Sequence, residues 1–328
     1  GGVSPYHLEP GGDLIWQVGT GYFGCRADNG KFSPEKFKIT SQIKNIKMIE
    51  LKISQGAKPG HGGILPAKKN TPEIAAIRGV KPHTEVDSPP SHSAFSDAEG
   101  LLRMIHQMRE LSGGKPIGFK MCIGVKQEFI DICEAMVRTG LKPDFITIDG
   151  GEGGTGAAPV EFSNSLGMPL LDGLAFAVDT LRGYDLKKDI KVMASGKLNS
   201  SFSIARALAL GADMCSSARA MMLAVGCIQA LQCNTNTCPA GVATQDPDLM
   251  KGLDVQDKSV RMYNYHKNTM KSFAELISAA GLVHHSEIYR SYINLRVAYN
   301  KVMRYDELYP EVKEGAYLEK MKDYSPSV

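Results

Sequence analysis

Three cysteines, Cys227, Cys233 and Cys238, fall in the run GCIQALQCNTNTCPAGVATQD with five and then four residues between them. Thiolates spaced this closely, with Pro239 and Gly241 behind the last, read as a ligand loop for iron or zinc. The run offers no fourth ligand. A structural zinc site uses four protein ligands, so a three-thiolate iron–sulfur centre fits the count better. A structural disulfide is the competing reading, but the rest of the chain has an intracellular character, and disulfides are rare in that setting. Cys25, Cys122, Cys133 and Cys215 are dispersed, mostly in apolar segments, and read as buried small hydrophobes.

Two glycine-rich segments could also bear on a ligand. LKISQGAKPGHGGILPAKK, from Leu51 to Lys69, directly follows an apolar run. Its glycines permit positive φ and close approach to a bound group, and Lys58 in its middle is placed to meet an anion. The alternative is a flexible, solvated loop. GGEGGTGAAP, from Gly150 to Pro159, is the second segment. It lacks the following helix and distal acid of a dinucleotide fingerprint, and no Gly-Lys-Ser/Thr closes it as a Walker A loop. Its backbone amides can line the edge of a planar cofactor.

The elements that must position these residues alternate. Strand candidates are IWQVGT from Ile15, MIELKI from Met48, IGFKMC from Ile117, FITIDGG from Phe145, IKVMASG from Ile190 and ADMCSSA from Ala212. Amphipathic stretches lie between them. Ser96 and Glu99 read as a capping box, ahead of Leu101, Leu102, Ile105 and Met108 at helical spacing. Phe129, Ile132, Cys133, Met136 and Val137 form a second stripe that stops at Gly140. Leu174, Ala175, Val178 and Leu181 form a third. Ile204, Ala205 and Leu208 form a fourth, which stops at Gly211. Strand–helix alternation predicts a parallel sheet. Short strands apolar on both faces fit either a barrel interior or a doubly wound sheet. Residues 255–281 read as one more amphipathic helix, with Met270, Phe273, Ala274 and Ile277 on one face and Gly281 as its stop.

The bulk properties are permissive. The chain has 328 residues, is 43% apolar and 22% charged, and carries a net charge of +3. That is enough apolar material for a large core. The basic residues are scattered, so neither nucleic acid nor a membrane surface is implied as a partner. No apolar run is long enough to span a bilayer, and no signal peptide opens the chain; a cytoplasmic location is expected. The opening GGVSPYHLEPGGD, without an initiator Met, reads as a fragment or a processed chain. Residues 1–250 are expected to form one domain that includes the cysteine loop at 227–238. Residues 251–328 are expected to be a helical extension packed on it.

The unusual residues cluster at the C-terminal ends of the predicted strands. Lys120, Asp149-Gly150-Gly151, Ser195-Gly196-Lys197 and Ser217-Ala218-Arg219 all fall there. In a TIM barrel that face carries the active site, and the last two strands supply a phosphate site. Small residues at Ser195-Gly196 and Ser217-Ala218 let backbone N–H groups approach an anion, and a helix start follows each. Read alone, each is a tight strand–helix turn; two in succession favour phosphate.

KISQGAKPGHGG, IDGGEGGTGAAP and the GC-x5-C-x4-CP-x-GVATQD run together resemble the FMN-binding synthase domain of glutamate synthase, in colinear order over at least residues 13–250. The resemblance implies a (β/α)8 barrel with FMN at its C-terminal face and a 3Fe–4S cluster beside it. It also implies addition of ammonia to 2-oxoglutarate, with hydride transfer from reduced FMN to give L-glutamate. Carried over residue by residue, Cys227, Cys233 and Cys238 would hold the cluster. Lys120 would sit near the flavin N1/O2 edge, where a cation favours the anionic reduced ring. Lys58 and Arg78 would hold the two carboxylates of 2-oxoglutarate. Gly196 and Ser217-Ala218-Arg219 would take the FMN phosphate, and Gly153, Gly154 and Thr155 would lie near the cofactor. A solvated helix-face charge is the competing reading of Arg78.

The chain departs from the family pattern in several places. The family's first two barrel strands fall upstream of Gly1, so about six strands are expected here, with another polypeptide completing the barrel or flavin binding weakened. Ile64 stands where the family carries Gln after KPGxGG, and His61 replaces an acidic residue. No glutaminase domain and no NAD(P)H motif is seen. The implied partners are an ammonia or amine source, a glutaminase-type subunit and a separate electron donor such as ferredoxin or a flavoprotein subunit. Three functions compete: a glutamate synthase, an N-methylglutamate synthase-like subunit that uses methylamine, and a non-catalytic electron-transfer subunit.

Overall fold

The computed structural model describes residues 2–154 and 156–319. Six strands form one parallel sheet: β1 (Leu14–Val18), β2 (Ile46–Lys52), β3 (Ile117–Met121), β4 (Phe145–Asp149), β5 (Lys191–Ser195) and β6 (Met214–Ser216). All six strand candidates read from the sequence are present. Their spatial order follows the chain without reversal. A doubly wound sheet reverses at a switch point; this one does not, and it curls in a single sense as a half-barrel. Among the described residues, β1 and β6 are its edges.

The crossovers are helical. α1 (Pro34–Ser41) joins β1 to β2. α2 (Pro72–Arg78) and α3 (Ala98–Leu111) lie between β2 and β3. α4 (Lys126–Thr139), α5 (Leu170–Gly183) and α6 (Ser201–Ala209) follow in alternation, then α7 (Arg219–Val225) and α8 (Val255–Ala279). The stops fall where expected. Gly140 has φ 71° at the end of α4, and Gly281 has φ 73° beyond α8. The predicted cap of α3 is shifted by one residue. Asp97 Oδ1, not Ser96, accepts from Gly100 N at 2.7 Å, while Glu99 faces Arg103 and Arg138.

The expectation that the strands are apolar on both faces does not hold. Successive side chains alternate between faces, and here the alternation separates two chemistries. Ile49, Leu51, Phe119, Ile146, Ile148, Val192 and Ala194 join the core shared with the helices. The alternate positions carry Glu50, Lys52, Lys120, Thr147, Asp149 and Ser195. The physical reason is that the polar side chains of this second face pair with one another, as Glu50 does with Gln17 and Thr147 and Asp149 with Lys120 and Ser195, instead of packing into the apolar core.

The C-terminal residues lie against this frame. Phe273 and Ile277 of α8 reach the core, whereas Met270 and Ala274 are exposed, so the buried face of α8 is narrower than the sequence implied. Beyond α8, the fully buried Arg290 donates to both carboxylate oxygens of Asp179 on α5, at 2.7 and 3.1 Å. The Tyr309 hydroxyl donates to Asp172 at 3.0 Å. Among the described residues, no helix is long and apolar enough to cross a membrane.

Candidate functional site

The polar face of the sheet is built in layers. Gln17, Glu50 and Thr147 form the lower one: Gln17 Nε2 and Thr147 Oγ1 both donate to the Glu50 carboxylate, which is buried. One step toward the C-terminal ends stand Lys52 and Lys120, register partners on β2 and β3. Lys120 Nζ is 3.5 Å from Asp149 Oδ2. Asp149 also accepts from Gly56 N at 2.8 Å and from Ser195 Oγ at 2.7 Å. This carboxylate therefore ties the loop after β2 to the ends of β4 and β5. Gly56 is required there, since a Cβ on it would come within 1.8 Å of Gly150 O.

Burial, and behind it the neighbouring Lys120 charge, pushes Lys52 down to about 8 from its ordinary 10.5, although Asp149 partly offsets them. Burial also lowers Lys58 and Arg78. Lys58 is not the solvated loop residue its glycine-rich setting allows. It is 5% exposed, and its Nζ donates to Gly62 O at 2.7 Å.

A cavity of about 530 Å³ opens beyond the ends of β1 and β2. Lys52, Lys58, Lys69 and Arg78 all line it, and among the described residues no Asp or Glu does. Arg78 lies over the Phe23 ring, 5.0 Å from its centroid, so the solvated-surface reading of Arg78 gives way. The apolar wall includes Phe23, Ile64 and Leu65. His61 also lines the cavity, with its ring edge-on to Phe162 at 4.9 Å.

The cysteine loop reaches the same cavity through Cys233. Lys69 staples it there, donating to Cys233 O at 2.7 Å and Ala243 O at 3.1 Å. Burial opposes ionisation of Cys238, but backbone N–H groups of Ala240 to Ala243 outweigh it and lower the thiol. Cys227 Sγ accepts from Gln229 N at 3.5 Å. All three thiols are free. Among the described residues, no group of three or more His, Cys, Asp and Glu is placed to hold a metal ion, the three loop thiols included. The dispersed cysteines differ in kind. Burial pushes the thiols of Cys25 and Cys215 up to about 12 and that of Cys122 to about 11, and raises Cys133 as well.

The strand-end turns form a separate group. Gly150 N donates to Ser195 O at 2.7 Å, and Ser195 and Ser216 are register partners. The Ser217 hydroxyl donates to Leu198 O at 2.6 Å. Lys197 is exposed with φ 47°, and Ala218 and Arg219 open α7. Glu152, which sequence reasoning passed over, lies across Gly150 and Gly196. Its Oε1 accepts from Leu170 N at the start of α5 at 2.7 Å. Its Oε2 is buried with no hydrogen-bond partner, and Cβ atoms built on Gly150 and Gly196 would lie 1.9 and 3.2 Å from it.

The cavity thus gathers Lys58, Arg78 and Cys233 from the sequence-derived set. Lys120, Asp149, Gly150, Gly151, Gly153, Gly154, Ser195, Gly196, Lys197, Ser217, Ala218, Arg219, Cys227 and Cys238 are not among its lining residues. Thr155 lies outside the described residues. Lys52, Lys69, Glu50 and Glu152 were missed. Glu50 and Lys52 at alternate positions of one strand, on the face opposite Ile49 and Leu51, were the available signal for Lys52.

The family model described as the conserved region in glutamate synthase matches residues 1–283. The glutamate synthase large subunit-like protein YerD of Bacillus subtilis is 46% identical over 282 residues, 86% of this chain and 53% of that protein. The archaeal glutamate synthase [NADPH] of Methanocaldococcus jannaschii is 34% identical over 283 residues, 86% of this chain and 52% of its own. The ferredoxin-dependent glutamate synthase of Antithamnion sp. is 32% identical over 292 residues, 85% of this chain and 19% of its own. The chain therefore spans about half the length of the first two relatives.

Proposed function

The chain belongs to the glutamate synthase family, and on that premise we propose that it forms the flavin-binding barrel of an FMN- and iron–sulfur-dependent oxidoreductase that makes L-glutamate by reductive amination of 2-oxoglutarate. The observation that carries this reading is the cavity at the ends of β1 and β2, lined among the described residues by four cationic side chains and no carboxylate. A dicarboxylate brings two negative charges. Buried cations stripped of water attract such a ligand far more strongly than exposed ones.

Arg78, held over Phe23, suits a two-point contact with one carboxylate, and Lys58 supplies a point charge for the other. Lys52 is a third cation in the same wall, with a proton it can release near neutral pH. Phe23, Ile64 and Leu65 exclude water from one side.

The turn residues fit FMN on one structural ground. Glu152 Oε2 is a buried acceptor with no donor, and an N–H or a polyol hydroxyl of the cofactor would satisfy it. Gly196, Ser217, Ala218 and Arg219 would take the phosphate; Gly153, Gly154 and Thr155 would lie along the cofactor. Lys120 would face the ring with Asp149 as its counter-ion. The donor set of the cysteine loop fits a thiolate-held cluster, because Cys238 is lowered by backbone N–H groups and Lys69 stands by Cys233 and Cys238. When bound, FMN supplies the hydride for the substrate imine and the 3Fe–4S cluster relays single electrons to it.

In this reading, residues 1–250 are the barrel, completed to eight strands by further polypeptide, and residues 251–328 are its extension. Its proposed partners are an ammonia or amine source, an electron donor (ferredoxin or a flavoprotein subunit) and a glutaminase-type subunit. The location is cytoplasmic. Ile64 in the cavity wall favours a second reading, in which methylamine replaces ammonia and the product is N-methylglutamate. Reduced protein mixed anaerobically with 2-oxoglutarate and either amine tests both. Flavin reoxidation with ammonia supports the first and with methylamine the second; reoxidation with neither leaves only an electron-transfer subunit.

A further inference from the structure

A second cavity, of about 460 Å³, lies at the opposite end of the sheet. One wall comes from the barrel: Arg182 in the last turn of α5, Lys187 just after it, Lys191 at the start of β5 and Asp213 just before β6. The facing wall comes from His284, His285, Tyr289 and Glu311, all beyond the stretch the family model matches. This cavity is therefore a product of the C-terminal residues, distinct from the cation-lined cavity at the other strand ends.

Its chemistry is uneven. Asp213 is already committed: it accepts from Lys187 at 2.8 Å, Lys191 at 3.3 Å and Val192 N at 2.7 Å. Glu311 Oε1 stands 3.0 Å from Arg182 Nη1 and 3.8 Å from Arg290 Nε. Yet Arg182 Nη1 and Arg290 Nε are both buried without a hydrogen bond. Glu311 thus pairs with Arg182 by charge at 3.0 Å without a hydrogen bond, and stands too far from Arg290 Nε to accept from it. Buried donors left unpaired are costly, and a mobile anion can adopt angles that Glu311 cannot. On the other wall, His284 and His285 present rings 4.1 Å apart. Ser286 N reaches His284 Nδ1 at 3.3 Å; Nδ1 accepts, so Nε2 carries the hydrogen as a donor. Leu208, Ile288 and Met214 supply apolar surface.

We propose that this cavity binds a small organic anion with a carboxylate or phosphate head and a flat body. The head displaces Glu311 beside Arg182 and Lys191, and the body packs on the imidazole pair. Glu311 acts as a resident competitor, so removing its charge tightens binding.

Isothermal titration of the full chain tests this, with phenyl phosphate and benzoate as the two head groups and inorganic phosphate and benzamide as controls. One saturable site is expected for a ring-bearing anion, with benzamide silent and inorganic phosphate weaker. Whichever head binds more tightly identifies the source chemistry. Lys191→Ala and His285→Ala should each weaken binding by about tenfold, the loss of roughly one charge-assisted or stacking contact. Glu311→Gln should tighten it. Arg78→Ala should leave it unchanged. Binding lost in Arg78→Ala, affinity unaltered by Lys191→Ala and Glu311→Gln, or no saturable heat would overturn the proposal.

Discussion

Lys52 and Lys120 stand side by side as register partners on β2 and β3, with Asp149 3.5 Å from the second of them. Asp149 offsets both charges in part, and of the two cations Lys52 lines the cation-lined cavity. Their mutual repulsion adds to the burial that already depresses Lys52. Under the proposed function, a dicarboxylate entering the cavity would relieve this repulsion.

This relationship sets a pH dependence. Lys52 titrates near about 8 in the folded chain against 10.5 ordinarily. A lowered folded value means that the folded state holds fewer protons between those limits, so stability rises with pH across that window. The stabilising contribution is complete above 10.5 and is lost as pH falls through about 8. Ligand affinity runs the other way. The dissociation constant for 2-oxoglutarate should rise as pH passes about 8, and Lys52→Met should flatten the profile. Lys52→Met should also raise the denaturant midpoint at neutral pH. An unchanged profile in the variant would remove Lys52 from the charge balance of the cavity.

Arg78 offers a sharper test of ligand orientation. Its guanidinium lies over Phe23 and lines the cavity. Arg78→Ala should raise the KM for 2-oxoglutarate by roughly tenfold to a hundredfold, the range for losing a charged hydrogen bond of about 1.5–3 kcal/mol. Arg78→Lys should recover only part, because a point charge cannot make the two-point contact. Equal KM values for all three proteins would place the carboxylates elsewhere.

The cysteine loop depends on a residue from outside it. Lys69 binds the carbonyls of Cys233 and Ala243, two groups ten residues apart. Lys69→Met should free that span while leaving every thiol in place. Iron and acid-labile sulfide per chain should fall, by less than in Cys233→Ser. Iron retained at the unaltered level in Lys69→Met would show that the loop holds its shape alone.

Much of this was legible in the sequence. Strand positions, helix stops at Gly140 and Gly281, and the strand-end placement of Lys120 and Asp149 followed from periodicity and glycine. What was not legible depends on long-range pairing. Lys52 reads as one polar residue in MIELKI until its register against Lys120 is known. Glu50 looks like a surface carboxylate until Gln17 and Thr147 are brought to it from strands 33 and 97 residues away. Glu152 sits in a glycine run that reads as flexible loop, and only the fold puts Leu170 N against it. Asp97 rather than Ser96 caps α3, and Glu99 faces Arg103 and Arg138 rather than the cap.

The C-terminal residues carry a testable anchor. Arg290 is 1% exposed, grips Asp179 through two hydrogen bonds and donates to Tyr309 O at 2.5 Å. Removing one partner of a buried pair leaves the other charge uncompensated, at a cost of about 3–5 kcal/mol. Arg182 lies 3.9 Å from Asp179 and softens that loss, so Arg290→Met should destabilise by about 3 kcal/mol, the lower end of that range. Pairing it with Asp179→Leu should restore part of the stability, since an apolar pair is often no worse than the ion pair. Urea unfolding of the two variants measures this directly. A single variant as stable as the unaltered chain would show that residues beyond α8 are held by the tyrosine contacts instead. Loss of the same stability in the double variant would locate the effect in the carbonyl of Tyr309 rather than in charge pairing.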